Sequence, residues 1–162
     1  MSTTQRAWVG LGGNVGDAVA TIRAALDALD QLPDTRLLAR SRLYRTPAWG
    51  FEAQADFVNA VALLETSLDP RALLERMLDV ERSFGRERRE RWGPRILDLD
   101  LLLYGEAVIA EPGLHVPHPH LHQRAFALLP LLDVTPEAVI PGQGRARDAL
   151  SALACEGIQA VG

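Results

Sequence analysis

The chain has 162 residues, a formal net charge of −4 and a hydrophobic content of 48%, which suits one soluble globular domain, 1–162, with a single core. No apolar run approaches the ~20 residues of a membrane span, and the polar start leading into a Gly-rich turn is not expected to act as a signal peptide. A lone cysteine, Cys155, excludes an internal disulfide framework, so a reducing, cytoplasmic compartment is expected. The acidic balance argues against nucleic acid or an anionic membrane as partner. All 17 basic residues are arginine, which excludes Schiff-base chemistry and a P-loop lysine. The arginines are concentrated between Arg82 and Arg95.

In chain order, Ala7–Leu11 predicts a strand that ends in a Gly12-Gly13-Asn14 turn. From Val15 the apolar residues recur at helical spacing up to Leu32, and Pro33-Asp34 closes that helix. Residues 36–44 predict a second strand. Thr46-Pro47-Ala48-Trp49-Gly50 predicts a loop, because the residue before a proline is pushed out of the helical region. Residues 57–65 alternate as a third strand. A second helix starts at Asp69-Pro70, with a capping carboxylate and an early proline, and its apolar stripe runs through Leu73, Met77, Val80 and Phe84 to Gly85. Ile96–Tyr104 is an apolar strand interrupted by two aspartates. The order β-α-β-β-α-β predicts an α+β fold with a ferredoxin-like core: an antiparallel sheet with helices packed on its faces. The last third adds a His-Pro segment at 115–122, a helix near Arg124–Leu132 and a final helix near Arg145–Ala154.

The chemistry centres on Asp98 and Asp100. Alternation on a strand puts both carboxylates on one face and Leu97, Leu99 and Leu101 on the other. Two adjacent carboxylates repel each other and resist desolvation, and a divalent cation removes both costs. Oxygen-only ligands select Mg²⁺. Alone, the pattern fits a solvated strand face better. Just upstream, however, Arg86-Glu87-Arg88-Arg89-Glu90-Arg91-Trp92-Gly93-Pro94-Arg95 offers guanidinium forks suited to phosphate oxygens. Glu87 and Glu90 can neutralise part of that stretch, so it too has a plainer reading as a self-paired charged loop. Asn59 carries donors and an acceptor suited to an amide-like heterocycle, and Trp49 and Phe126 could stack on its faces; a capping Asn and two core aromatics remain the alternative. Prolines 117 and 119 disrupt helical pairing among His115, His118, His120 and His122, which disfavours zinc and leaves one phosphate-facing histidine as the better reading.

Taken together, these residues resemble the 6-hydroxymethyl-7,8-dihydropterin pyrophosphokinases of folate biosynthesis, which move pyrophosphate from ATP to the pterin alcohol and release AMP. The resemblance runs from Val9-Gly10-Leu11-Gly12-Gly13-Asn14 through Tyr44-Arg45-Thr46-Pro47, Phe57-Val58-Asn59, Arg91-Trp92-Gly93-Pro94-Arg95 with Asp98 and Asp100, and Val116-Pro117-His118, to Arg124–Leu131. It implies that Asp98 and Asp100 hold two Mg²⁺ ions that bridge the phosphates of the co-substrate ATP. Arg86 and Arg95 would contact phosphate at the catalytic centre; Glu81, Arg88, Trp92, His118 and Arg124 would lie on the ATP side. Thr46, Trp49, Phe57, Asn59 and Phe126 would form the pterin side. Phe57 and Pro119 stand where some relatives carry tyrosine, and the 85–92 stretch has no lysine.

The mechanism implied is in-line attack of the substrate hydroxyl on the β-phosphorus, helped mainly by positioning and charge neutralisation. Arg86–Arg91, polar and without an apolar stripe, is expected to be mobile and to close over ATP. The expected partners are the two small substrates, and a monomer is expected. Two other classes remain open: another metal-dependent phosphotransferase or phosphohydrolase on the same scaffold, and a non-catalytic nucleotide- or RNA-binding module. Aspartates on the sheet argue against the last.

Overall fold

The computed structural model describes residues 3–47, 56–85, 96–155 and 157–161. In chain order the elements are β1 (Gln5–Gly13), α1 (Ala18–Asp30), β2 (Thr35–Arg40), β3 (Tyr44–Thr46), β4 (Phe57–Thr66), α2 (Pro70–Ser83), β5 (Asp98–Tyr104), β6 (Ile109–Glu111) and β7 (Leu114–Val116). A 3-10 turn (Leu121–Gln123), α3 (Ala125–Val134), β8 (Val139–Ile140), β9 (Gly144–Arg145), α4 (Ala146–Ser151) and β10 (Gln159–Ala160) follow. The main sheet runs β10-β3-β4-β1-β5, with β2 also paired to β4, and every pairing is antiparallel. With β2 and β3 counted as one interrupted strand, this is the ferredoxin-like βαββαβ order, with β1 and β4 at the centre. No helix among the described residues is long and apolar enough to cross a membrane.

Period-2 alternation along the central strands divides the sheet into two unlike faces. Ala7, Val9 and Leu11 of β1, Ala60, Ala62 and Leu64 of β4, and Leu99 and Leu101 of β5 form one face. They pack against Ile22, Ala25, Leu26 and Leu29 of α1 and Leu73, Met77 and Val80 of α2. Burial of each large aliphatic side chain here is worth about 1.5–3 kcal/mol relative to exposure. The opposite face is covered only in part. Val61, Leu102 and Leu103 meet Leu121, Leu128, Leu131 and Ala146 from the 3-10 turn, α3 and α4. Between Trp8 and Val9 the β1–β5 register slips by one residue, so that Leu103 pairs with Trp8 and Leu101 with Val9. This bulge turns both Leu102 and Leu103 toward α3.

Helix ends follow local chemistry. The Asp69 carboxylate accepts from Ala72 N at 2.8 Å with Pro70 behind it, and Gly85 takes φ +79° just past the end of α2, as the sequence predicts. α1 starts at Ala18 rather than Val15, because Gly16 turns the chain at φ +62° and Asp17 caps Ala20 N at 3.1 Å. The predicted 36–44 strand is two strands. Ser41 interrupts it: its Oγ accepts from Val61 N at 2.8 Å while its own N–H donates to Val61 O at 2.9 Å. A side chain thus substitutes for the backbone at one rung. The predicted Gly12-Gly13 turn is strand, paired in register with Asn59 and Val58. α3 runs two residues beyond Leu132, and the last helix is confined to Ala146–Ser151.

Candidate active site

A cavity of about 450 Å³ opens on the incompletely covered face of the sheet. Its floor is a row of residues in register across three strands: Asn59 on β4, Gly12 on β1 and Asp98 on β5. The next row is Val61, Gly10 and Asp100. Neighbouring strands lie about 4.8 Å apart, so Asn59 and Asp98 stand about 10 Å from each other across a floor without side chains. Asp98 and Asp100 are half-buried on this face, while Leu97, Leu99 and Leu101 are buried on the other. The alternation expected from the sequence is observed.

Thr46 and Pro47 at the end of β3, with Phe57, form the lip beside Asn59, and Phe126 and Ala127 of α3 form the facing wall. Phe57 is cross-strand partner to Thr46, and Asn59 to Tyr44. Thr46 Oγ1 is buried and has no hydrogen-bond partner among the described residues, so a ligand that supplied one would relieve an orphaned hydroxyl. α3 is anchored at its far end. The Tyr44 hydroxyl donates to Asp133 Oδ2 at 2.7 Å, the Arg42 N–H donates to the same oxygen at 3.2 Å, and Trp8 Nε1–H donates to Thr135 Oγ1 at 2.8 Å. Burial, then the Asp133 carboxylate, pushes the Tyr44 hydroxyl above the usual phenol range and keeps it a donor.

On the acidic side, His118 and Arg124 enter beside Asp100. The His118 backbone N–H donates to Leu102 O at 2.9 Å, which ties this segment to the outer edge of β5. His118 Nδ1 accepts from the His120 N–H at 3.2 Å, so the neutral ring carries its proton on Nε2. Burial lowers the His118 pKa; Asp100 opposes that shift, and Arg124 and His120 reinforce it. The ring is therefore a neutral Nε2–H donor near pH 7. The Arg124 guanidinium carbon stands 5.7 Å from the Phe126 ring centroid, which links the two walls.

Of the residues singled out in the sequence, the cavity gathers Asp98, Asp100, His118, Arg124, Thr46, Phe57, Asn59 and Phe126. Glu81 lies elsewhere. It is 4% exposed on α2, and its Oε2 accepts from the Leu99 N–H at 2.7 Å, so it fastens the strand that carries the aspartates instead of lining the cavity. Trp49, Arg86, Arg88, Trp92 and Arg95, with the rest of the Arg86–Arg91 stretch, lie outside the described residues. Gly10, Gly12 and Pro47, quoted in the family motifs without any site role, also line the cavity. For the glycines the signal was their i, i+2 spacing inside an apolar run, which on a strand leaves one face bare.

The sheet and cavity define a small α+β domain with an acidic pair on one side of a bare floor and polar and aromatic groups on the other. The chain belongs to the 7,8-dihydro-6-hydroxymethylpterin-pyrophosphokinase (HPPK) family, whose profile matches residues 8–136. It is 43% identical over 156 residues to the 2-amino-4-hydroxy-6-hydroxymethyldihydropteridine pyrophosphokinase of Methylorubrum extorquens, covering 96% of this chain and 98% of that protein. The enzyme of the same name from Pseudomonas aeruginosa is 46% identical over 155 residues, with 96% of each chain covered. In fold, the chain is similar to wild-type Plasmodium falciparum HPPK-DHPS in its crystal structure with pteroate. That match has a TM-score of 0.75 at 15% identity and covers 94% of this chain and 45% of that longer one.

Proposed function

We propose that this protein transfers the pyrophosphoryl group of ATP to the hydroxymethyl oxygen of 6-hydroxymethyl-7,8-dihydropterin and releases AMP. The observation that carries the reading is the row Asn59–Gly12–Asp98, which puts an amide and a carboxylate pair at opposite sides of one cavity. A planar heterocycle with an amide edge suits one side, and a metal-bound polyphosphate suits the other.

In this reading Asn59 and the Thr46 hydroxyl meet the edge of the pterin, while Phe126 stacks on its face and Phe57 closes the lip. His118 donates Nε2–H to a phosphate oxygen and Arg124 offers its fork to another. Asp98 and Asp100 would hold Mg²⁺, two ions in the reading adopted here. Their donor set fits, since two half-buried carboxylates beside open space leave room for phosphate oxygens as further ligands. Bound there, the metal would neutralise charge on the phosphates. The substrate oxygen bonds to the β-phosphorus as the bond to the α,β-bridging oxygen breaks, AMP carries that oxygen away, and the hydroxyl proton is released to solvent. The chain's contribution is alignment and fixed donors, and no side chain is assigned as general base. Glu81 serves the nucleotide side indirectly, by holding Leu99 of β5. The assignments of Arg86, Arg88, Trp92 and Arg95 to phosphate or nucleotide, and of Trp49 to the pterin, rest on the sequence match alone. We further propose a single-domain cytosolic monomer.

Incubating the protein with Mg·ATP and the pterin alcohol should yield AMP one-for-one with pterin consumed. Formation of ADP or inorganic phosphate in its place contradicts the reading and favours another phosphotransferase or a phosphohydrolase.

A further inference from the structure

The central strand is bare where it passes under the cavity, at Gly10 and Gly12. Neither glycine has a positive φ, so the backbone at each would accept alanine and neither is there for conformational freedom. What they supply is space, and the two supply it differently. A Cβ at position 10 would meet Leu102 methyl carbons at 3.3 and 3.4 Å, where a flexible side chain can give way. A Cβ at position 12 would lie 2.8 Å from Asn59 Oδ1, well inside van der Waals contact. The other near atoms at position 12 are also on β4: Asn59 Cγ at 3.8 Å and Val58 O at 3.9 Å. The crowding is therefore directed at the Asn59 amide and not at Asp98, although Gly12 pairs with both.

We infer that Gly12 is a positioning residue: its missing side chain seats the Asn59 amide against the sheet and so sets the direction in which that amide meets the heterocyclic substrate. The inference rests on the proposed role of Asn59. It separates fold from recognition. An asparagine amide swings about its terminal torsion at little cost, so a methyl at position 12 is relieved by turning Asn59 rather than by moving a strand. The fold survives and the amide points the wrong way. A merely structural glycine would do the reverse, losing stability without choosing between substrates.

The test compares wild type with Gly12→Ala, Asn59→Ala and the double variant. The readouts are kcat and KM for each substrate, pterin binding by fluorescence in the presence of a non-hydrolysable ATP analogue, and the melting temperature. Gly12→Ala should raise the pterin KM and dissociation constant about tenfold, the worth of one misdirected buried hydrogen bond, and leave the ATP KM within about twofold. Its melting temperature should fall by no more than about 4 °C. The double variant should bind pterin within about twofold of Asn59→Ala, because the amide that Gly12 seats is already gone. Multiplying effects in the double variant, equal rises in both KM values, or a large loss of stability with an unchanged pterin KM would each overturn the inference. If Asn59→Ala weakens pterin binding and Gly12→Ala does not, Gly12 has no such role and the reading of Asn59 stands. If Asn59→Ala itself leaves pterin binding unchanged, the Asn59 assignment fails and the inference falls with it.

Discussion

One strand, β5, carries both halves of this molecule. On one side Leu99 and Leu101, with Leu97 just before the strand, are buried among residues of α1 and α2; on the other Asp98 and Asp100 border an open cavity. The same contrast runs across β1, with Val9 and Leu11 buried on one face and Gly10 and Gly12 bare on the other. Stability is concentrated on the face where side chains interlock. The proposed recognition lies on the face where β1 is bare and β5 carries aspartates. Because the two alternate residue by residue, a one-residue slip in register would exchange them. The Glu81 carboxylate on the Leu99 N–H and the Leu102 carbonyl on the His118 N–H hold the outer edge of β5 against that slip.

Substitutions should separate the two faces, and in stability the effects can be ranked. Leu99→Ala or Leu101→Ala should lose about 2–5 kcal/mol in urea unfolding through a cavity in the packed face. Turnover per folded molecule should stay within a few-fold, since no cavity-lining group is removed. Glu81→Ala should cost about 1–3 kcal/mol by leaving the Leu99 N–H without its 2.7 Å acceptor. It should also slow turnover more than its stability loss explains, because β5 is then less firmly held; an unchanged rate per folded molecule would restrict Glu81 to a purely structural part. Tyr44→Phe should cost about 1 kcal/mol, the worth of its bond to Asp133.

Tyr44 also leaves a pH signature. Burial first, and Asp133 after it, raise its pKa in the folded state, and burial raises that of Tyr104. A raised folded value means that both states are protonated below pH 10, the ordinary tyrosine value, and that above it the unfolded chain ionises first. The contribution of these two tyrosines to stability should therefore be level up to about pH 10 and fall beyond it. Tyr44→Phe should reduce the slope of that fall in alkaline denaturation curves; an unaltered slope would mean that Tyr44 does not contribute.

Much of this division was legible in the sequence, for identifiable reasons. Helix α2 announced itself through Asp69-Pro70 and Gly85, because capping chemistry is local. The separation of Leu97, Leu99 and Leu101 from the aspartates followed from strand periodicity alone. Three features depend on partners distant in sequence and were not legible. Ser41 splits a strand only because Val61 is there to bond it. The resemblance puts Glu81 on the ATP side, but its bond to the Leu99 N–H is visible only once α2 is seen against β5. Gly12 and Gly13 have the composition of a turn and become strand because β4 and β5 flank β1. The β6–β7 and β8–β9 hairpins are two or three residues a side, too short to show a period.

The division of labour on β5 is tested most directly by measuring the AMP-forming rate and the unfolding free energy on the same preparations of Asp98→Asn and Asp100→Asn. Each change keeps the size of the side chain and removes its charge. The rate should fall on the order of a thousandfold while stability stays within about 1 kcal/mol of wild type. Near-full turnover in Asp100→Asn, or a rate loss that only follows a loss of folded protein, would contradict it.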